Sequence, residues 1–255
     1  KLYTPRDPKS MDLSLEPLSP DSLLPYQQLV GSLIFLAGTT RIDIQYNVME
    51  LSRHNRHYQV SHWEAALRVL VYLNTTKMKG IHYSHNIPMK TQLAAYSDAN
   101  FAQCPTGRSV SGGIVTFNGV PIMWFAHLQT EQISQHIFEA EYHALNRTLI
   151  FLRSLQQIAE DMRIIPLPTE DPTTHTKIPV YCDNIHVVDK TRDGRMYGLK
   201  TCRHVRKNFG FIYDLHKQDL IDLLHIPSMN NGADMLTKCL GPTKMVHLCT
   251  RLHLL

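Results

Sequence analysis

Cysteine is scarce in this 255-residue chain, and its five cysteines are scattered without any CxxC pair. An odd number of cysteines without that spacing argues against a disulfide scaffold and favours a reducing compartment. No apolar run reaches the roughly 18 residues of a membrane span, and no secretory signal pattern opens the sequence. We therefore expect an intracellular protein without a membrane partner.

Excess charge is also small, since 26 Lys and Arg residues against 22 Asp and Glu residues leave a net charge of +4. That balance is compatible with a polyanionic partner but does not require one. The one clear basic cluster is "CRHVRKNFG", in which Arg203, Arg206 and Lys207 could follow a phosphate backbone. A solvated basic helix face explains the same residues equally well.

The first third of the chain shows no cluster of catalytic residue types. Residues 1–21 contain four prolines and no sustained period, which predicts an extended arm. Residues 22–80 carry apolar residues at helical spacing, which predicts a small helical connection region. Within it, Ser61 and Glu64 predict a capping box at the start of the helix in "SHWEAALRVLVYLN".

Residues 81–255 change to β-type patterns and predict an α/β domain with a mixed sheet. Short β-type runs are followed by a long helix over about 138–162, a buried strand, a basic helix, another strand and a final helix start. Asn118-Gly119 marks a tight hairpin. The runs are "GIHYSHN", "TQLAAYSDA", "SGGIVTFNG", "VPIMWFAHL", "KIPVYCDN" and "DLIDLLHIPS", and the final helix start is "NNGADMLTK".

Four acids lie at the ends of these predicted elements. Asp98 and Asp183 end strands, Glu141 lies in the first turns of the long helix, and Asp234 opens the last helix. Each acid alone is typical of a turn or a helix surface. If the fold brings the four acids together, however, their carboxylates would repel one another unless cations neutralised the charge. Oxygen ligands suit Mg²⁺ or Mn²⁺, and two such ions about 3.5–4 Å apart can support phosphodiester hydrolysis.

The same stretches carry a resemblance to a known family. From about Tyr26 to the C-terminus, the chain resembles the C-terminal part of copia-type retrotransposon polyproteins, the end of reverse transcriptase plus its ribonuclease H domain. The segments that carry the resemblance are "YQQLVGSLIFLAGTTRIDIQYNVMELSR", "HWEAALRVLVYLNTTKMKGIHYS", "YSDANFA", "GRSVSGGIVTFNGVPIMW", "EAEYHAL", "VYCDN" and "GADMLTK", in family order.

This resemblance implies a ribonuclease H-like five-stranded mixed sheet flanked by helices. It implies four catalytic, metal-binding acids at Asp98, Glu141, Asp183 and Asp234, with Mg²⁺ or Mn²⁺ as two bound ions. Glu141 is preferred to Glu139 because Glu-Tyr-His-Ala resembles the Glu-Leu-x-Ala pattern of the ribonuclease H helix, and Glu139 is expected to be the more solvated.

The implied activity is endonucleolytic cleavage of the RNA strand of RNA–DNA hybrids. The implied partners are such a hybrid and the rest of a reverse transcriptase or a larger host assembly. The implied location is a cytoplasmic particle or the nucleus.

Two other functions remain open at this stage. The chain departs from the family around residues 135–138 and at Arg206, which would suit a domesticated scaffold or nucleic-acid-binding module with weak or no catalysis. A transposase or integrase shares the general fold but typically ends its acid set with a helix Glu, whereas this set ends with Asp234.

Overall fold

The computed structural model describes residues 4–5, 24–84, 92–102, 104, 106–130, 134, 136–164, 177–194 and 203–255, without the side chains of 203–206. The predicted arm over residues 1–21 therefore lies almost entirely outside the described residues. The chain divides into two compact units: Lys1–His82 with Lys238–Leu255, and Tyr83–Thr237.

The described residues form seven α-helices and five strands. The helices are α1 Tyr26–Thr39, α2 Gln45–Ser52, α3 Val60–Thr75, α4 Ile137–Asp161, α5 Ile185–Arg192, α6 Arg203–Lys217 and α7 Pro242–Arg251. The strands are β1 Leu93–Asn100, β2 Val110–Phe117, β3 Val120–Leu128, β4 Ile178–Cys182 and β5 Ile221–His225.

The first unit is helical, and a buried ion pair lies inside it. The Arg41 guanidinium donates to both carboxylate oxygens of Asp43. Its Nε lies 2.9 Å from Oδ1 and its Nη2 lies 2.8 Å from Oδ2. The Tyr72 hydroxyl donates to Asp43 at 2.6 Å. Burial, followed by the nearby Asp43 charge, raises the pKa of the Tyr72 hydroxyl. This network joins the start of α2 to α3.

The predicted capping box of α3 is wrong. The helix begins at Val60, one residue before Ser61, and its N-cap residue is Gln59. His62 takes the place of the expected acid, because its Nδ1 accepts the backbone N–H of Gln59 at 2.9 Å. A capping interaction is present, but two residues earlier than the Ser and Glu pattern indicated.

The second unit is built on a five-stranded sheet with the order β3-β2-β1-β4-β5. Strands β1, β2 and β3 are antiparallel, whereas β4 lies parallel to both β1 and β5. Helix α4 packs on β1 and β2, α5 packs on β4 and β5, and α6 packs on α4 and β5. This confirms the predicted five-stranded mixed sheet flanked by helices.

The long helix α4 covers the sheet through an apolar stripe. Tyr142, Leu145, Leu149 and Leu152 are fully buried in a core cluster that also contains Val180 of β4. A helix with apolar residues at a spacing of three to four presents one continuous face to the sheet. That face fixes the rotation of α4, and hence the direction in which its first turn points.

Two local predictions have different outcomes, and one helix was not predicted. The hairpin is confirmed, since Asn118 and Gly119 join β2 to β3 with φ of 51° and 85°. Helix α5 was not predicted, because its eight residues are too few to show a helical period. The run "GIHYSHN" is not a strand in its described part, where Ile81 forms a single bridge with Leu254.

No helix among the described residues has the length and apolar character needed to cross a membrane.

Candidate metal centre

The parallel pairing of β1 and β4 brings two predicted acids together. Ser97 pairs with Cys182 in the register, so Asp98 and Asp183 come next along the two strands at the same edge of the sheet. Asp98 is buried with 1% of its surface exposed, while Asp183 is half-buried. Neighbouring parallel strands place their carboxyl ends side by side, and this explains the contact from topology alone.

Asp234 reaches the same edge from a short 3₁₀ helix over Gly232–Leu236. The prediction that Asp234 opens the last helix is therefore wrong, since α7 begins only at Pro242. The Asn231 side chain accepts the Ala233 N–H at 3.2 Å and donates to the Ser97 carbonyl at 3.0 Å. The Asn231 side chain thus caps the 3₁₀ helix and links it to β1 by a hydrogen bond.

Hydroxyl groups orient two of the acids. Thr237 donates a hydrogen bond to the Asp98 carboxylate, and Ser228 donates to Asp234 at 3.0 Å. The sequence analysis missed Asn231, Ser228 and Thr237. For Thr237 the available signal was its place in "GADMLTK", three residues after Asp234, because residues three apart on a 3₁₀ turn lie one above the other.

A glycine in β2 makes room for this turn. Gly112 lies opposite Asp98 in the register. A Cβ added at Gly112 would lie 2.7 Å from Thr237 Cγ2 and 2.8 Å from Leu236 Cβ. The absence of a side chain therefore allows the turn to approach the sheet closely enough for Thr237 to contact Asp98.

The donor set fits a hard divalent cation. Asp98, Asp183 and Asp234 each offer one carboxylate oxygen, and these three oxygens lie within 4.8 Å of one another. Three carboxylates so close, two of them almost fully buried, repel each other unless a cation compensates their charge. Carboxylate oxygens are the ligands that Mg²⁺ and Mn²⁺ prefer.

Glu141 joins this cluster through Asp183. Ligand atoms of Glu141, Cys182 and Asp183 form a second group within 4.8 Å of one another. Asp183 therefore belongs to both groups. Burial first, and then the nearby Glu141 carboxylate, raise the pKa of the Cys182 thiol well above its usual range. The Cys182 thiol therefore stays uncharged and lines the site.

The expectation that Glu139 is the more solvated glutamate is wrong. Glu139 is 5% exposed and Glu141 4% exposed. The reason is that four consecutive residues of α4, 139 to 142, are all buried, so both glutamates lie away from solvent. Position still separates the two glutamates. Of these two, Glu141 lies in a group of possible metal ligands found among the described residues, and Glu139 does not.

A groove of about 540 Å³ begins next to the acids. It is lined by Phe101, Phe138, Asn184, His186 and Lys190 among others, and Asn184 directly follows Asp183. Lys190 places its ammonium 4.2 Å from the Phe138 ring centroid. Aromatic faces beside a cation and histidines are suited to bases and phosphates.

The predicted basic residues fall on α6. Arg203 and Arg206 lie in the first turn of this helix, and their side chains are outside the described part of the structure. Lys207 is exposed.

The strand order and the carboxylates gathered at the edge of the sheet define a ribonuclease H-type domain. The chain also has sequence relatives among retroelement polyproteins. The chain is 29% identical over 231 residues to the retrovirus-related Pol polyprotein from transposon TNT 1-94 of Nicotiana tabacum, covering 90% of this chain. It is 30% identical over 230 residues to the Pol polyprotein from transposon RE1 of Arabidopsis thaliana, covering 89% of this chain.

The homologues of this chain are copia-type retrotransposon Pol polyproteins, and they match about 90% of its length. The chain spans 16% and 15% of the length of the two relatives described above. No protein-family model matches the chain.

One similar solved structure is that of LC11 ribonuclease H1 in complex with an RNA/DNA hybrid. The two share 18% sequence identity with a TM-score of 0.41, over 57% of this chain and 94% of that chain. The fold assignment rests on the strand order and register given above.

Proposed function

We propose that this chain is a metal-dependent endonuclease that cleaves the RNA strand of RNA–DNA hybrids, as the ribonuclease H part of a retroelement-type reverse transcriptase. The observation that carries the proposal is the approach of the Asp98, Asp183 and Asp234 carboxylates within 4.8 Å. The hybrid substrate is the one that the family resemblance implies. Sequence similarity to Pol polyproteins over about 90% of the chain supports it.

The residues of the chain would hold the metal and keep it in place. Asp98, Asp183 and Asp234 supply the oxygens, with Glu141 beside Asp183. The hydroxyls of Thr237 and Ser228 fix the orientation of Asp98 and Asp234. Bound Mg²⁺ or Mn²⁺, as two ions, would supply Lewis-acid stabilisation of the charge that develops on phosphate oxygens during hydrolysis.

The substrate would approach along the groove beside Asp183. Phe101 and Phe138 offer apolar faces there, and Lys190 offers a positive charge close to phosphate oxygens. Arg203, Arg206 and Lys207 would extend the basic track along α6.

A cleavage assay tests this function. The chain is incubated with a hybrid whose RNA strand is labelled, with Mg²⁺, Mn²⁺ or EDTA, and with DNA duplex as a second substrate. We expect RNA cleavage with a divalent cation, none in EDTA and none of the duplex. Binding of the hybrid without cleavage in either metal would contradict the proposal and favour the domesticated module.

The two glutamates give a sharper prediction. Glu141→Gln should lower the metal-dependent cleavage rate roughly a hundredfold, because it removes a carboxylate beside Asp183. Glu139→Gln should retain most of the rate, since Glu139 lies in neither carboxylate group found among the described residues. The reverse pattern would move the ligand by two residues. Melting curves of both variants separate loss of activity from loss of folding.

A further inference from the structure

One sulfur atom lies beside the acids and has no part in the proposed cleavage. The structure describes four free cysteines, which are Cys104, Cys182, Cys239 and Cys249. Of these four, only Cys182 lies in a group of possible metal ligands, where its Sγ is within 4.8 Å of a carboxylate oxygen of Glu141 and of Asp183. Mg²⁺ and Mn²⁺ prefer oxygen ligands, so they do not account for a sulfur atom at this place.

The sulfur atom faces the side of the sheet that α4 covers. Paired residues of neighbouring strands point to the same face. Ser97 of β1 is paired with Gly113 on one side and with Cys182 on the other. A Cβ added at Gly113 would meet Thr148 of α4, so this face is the one under the helix. Ser97 and Cys182 therefore point toward α4, the helix that carries Glu141.

Asp183 connects this group to the oxygen ligands on the other face. Asp98 is paired with Gly112, which faces the 3₁₀ turn that carries Asp234. Asp183 directly follows Cys182 at the end of β4 and is a member of both groups of possible ligands. An ion bound on the α4 side would therefore use a carboxylate that the oxygen group also needs.

A buried hydroxyl beside Cys182 is a second observation that points to a ligand. Ser97 is fully buried, and its Oγ has no hydrogen-bond partner in the part of the chain that the structure describes. Buried polar atoms are almost always hydrogen-bonded, and a bound ion or water is a common explanation for an exception. A cation held next to Cys182 would satisfy this oxygen.

The ligand atoms suit a cation that binds thiolate, and Zn²⁺ is the common example. Zn²⁺ takes four ligands, with sulfur at about 2.3 Å and carboxylate oxygen at about 2.0–2.2 Å, which places the ligand atoms roughly 3.5 Å apart. Small side-chain movements give this spacing here, because the three ligand atoms already lie within 4.8 Å of one another. The Asn184 backbone N–H donates a hydrogen bond to the Cys182 sulfur and would stabilise the thiolate.

We propose that Glu141, Cys182 and Asp183 bind a thiophilic divalent cation such as Zn²⁺, with the Ser97 hydroxyl as the fourth donor. On binding, the S–H bond of Cys182 breaks, its proton leaves to the solvent, and the sulfur electron pair binds the ion. Because Asp183 is shared, an ion at this site weakens the binding of Mg²⁺ or Mn²⁺ by the oxygen group. Any effect on RNA cleavage rests on the proposed function, whereas the binding itself does not.

Cadmium absorption tests whether the sulfur binds the ion. Cd²⁺ is the probe because a cadmium–thiolate bond adds a charge-transfer band in the ultraviolet, which carboxylate ligands do not. The full chain is titrated with Cd²⁺ in the presence of a phosphine reductant. We expect the band to develop with the first equivalent of Cd²⁺ and to be lost in Cys182→Ser. Cys239→Ser is the matched control and should keep the band, because Cys239 lies in neither group of possible ligands found among the described residues.

Competition with Mn²⁺ tests the shared carboxylate. The chain is loaded with Mn²⁺, and the release of free Mn²⁺ on addition of Zn²⁺ is followed by electron paramagnetic resonance. We expect Zn²⁺ to release Mn²⁺ from the unmodified chain. Cys182→Ser should need at least about tenfold more Zn²⁺ for half release, because losing a ligand costs at least as much affinity as losing a contact behind a ligand.

The inference and the proposed function can fail separately. A chain that binds Zn²⁺ through Cys182 but cleaves no RNA would contradict the proposed function and support the inference. A chain that cleaves RNA but gives no cadmium–thiolate band would contradict the inference alone.

A folded Cys182→Ser variant that keeps the cadmium band would overturn the proposal, as would release of its Mn²⁺ at the same Zn²⁺ concentration as in the unmodified chain. Melting curves establish whether the variant folds. If it does not fold, cadmium NMR of the unmodified chain decides the question. The bound cadmium should couple to the β-protons of Cys182, and coupling to another cysteine or to none would overturn the proposal.

Discussion

Replacing both Asp98 and Asp183 by asparagine is expected to lower the rate of metal-dependent hybrid cleavage at least about a thousandfold. Asp98 lies near the C-terminal end of β1, and Asp183 directly follows the neighbouring strand β4. The two share one carboxylate group with Asp234. Asparagine keeps the shape but removes the negative charge that would hold a divalent cation. A bound cation supplies several kcal/mol of transition-state stabilisation, which corresponds to about this factor in rate.

The controls for this double variant come from the same unit. Asp219→Asn with Asp222→Asn also removes two carboxylates, but those two lie in exposed ion pairs with Lys177 and Arg192. This control should cleave at nearly the normal rate. In EDTA the Asp98, Asp183 variant should melt no lower than the unmodified chain, because the substitution relieves repulsion among buried carboxylates. Cleavage at the normal rate by the folded variant would contradict the site.

Replacing Asp43 by alanine is expected to destabilise the helical unit by about 3–5 kcal/mol. The substitution leaves the Arg41 guanidinium, whose side chain is only 6% exposed, without its bidentate partner. It also removes the acceptor of the Tyr72 hydroxyl. Breaking a buried ion pair from one side costs far more than the pair itself contributes, because an uncompensated charge remains buried.

Tryptophan fluorescence can measure this loss in the helical unit alone. The chain has two tryptophans, Trp63 in the helical unit and Trp124 in the sheet unit. In a Trp124→Phe background, urea unfolding followed by Trp63 emission reports the first unit. Glu50→Ala breaks the more exposed Glu50–Arg53 pair and should cost less than about 1 kcal/mol. Equal losses in Asp43→Ala and Glu50→Ala would contradict the account of the buried network.

The sequence predicted the two acids of the site whose positions follow from the ends of β-type runs. Asp98 and Asp183 each end an apolar β-type run, and parallel pairing places such residues at one edge of the sheet. Asn118-Gly119 predicted its hairpin because the turn requires positive φ at both positions, which these two residues tolerate.

The parts that the sequence did not predict depend on tertiary contacts. Asp234 was expected on a helix, whereas the structure has a 3₁₀ turn that Asn231 ties to β1. No local pattern reveals that tie, because Asn231 and Ser97 are far apart in the sequence. The prediction that Glu139 is the more solvated glutamate failed for a similar reason. The helical wheel assumes one solvated side, whereas the four consecutive residues 139 to 142 of α4 are all buried by tertiary contacts.

The central claim is that the carboxylates at the end of β1 and β4 form a divalent-cation site. Crystals of the chain soaked in Mn²⁺, with anomalous diffraction collected near the manganese edge, test it most directly. The account predicts an anomalous peak contacted by oxygens of both Asp98 and Asp183, with Asp234 beside it. Ordered carboxylates of Asp98 and Asp183 with no anomalous peak between them, at millimolar Mn²⁺, would contradict it.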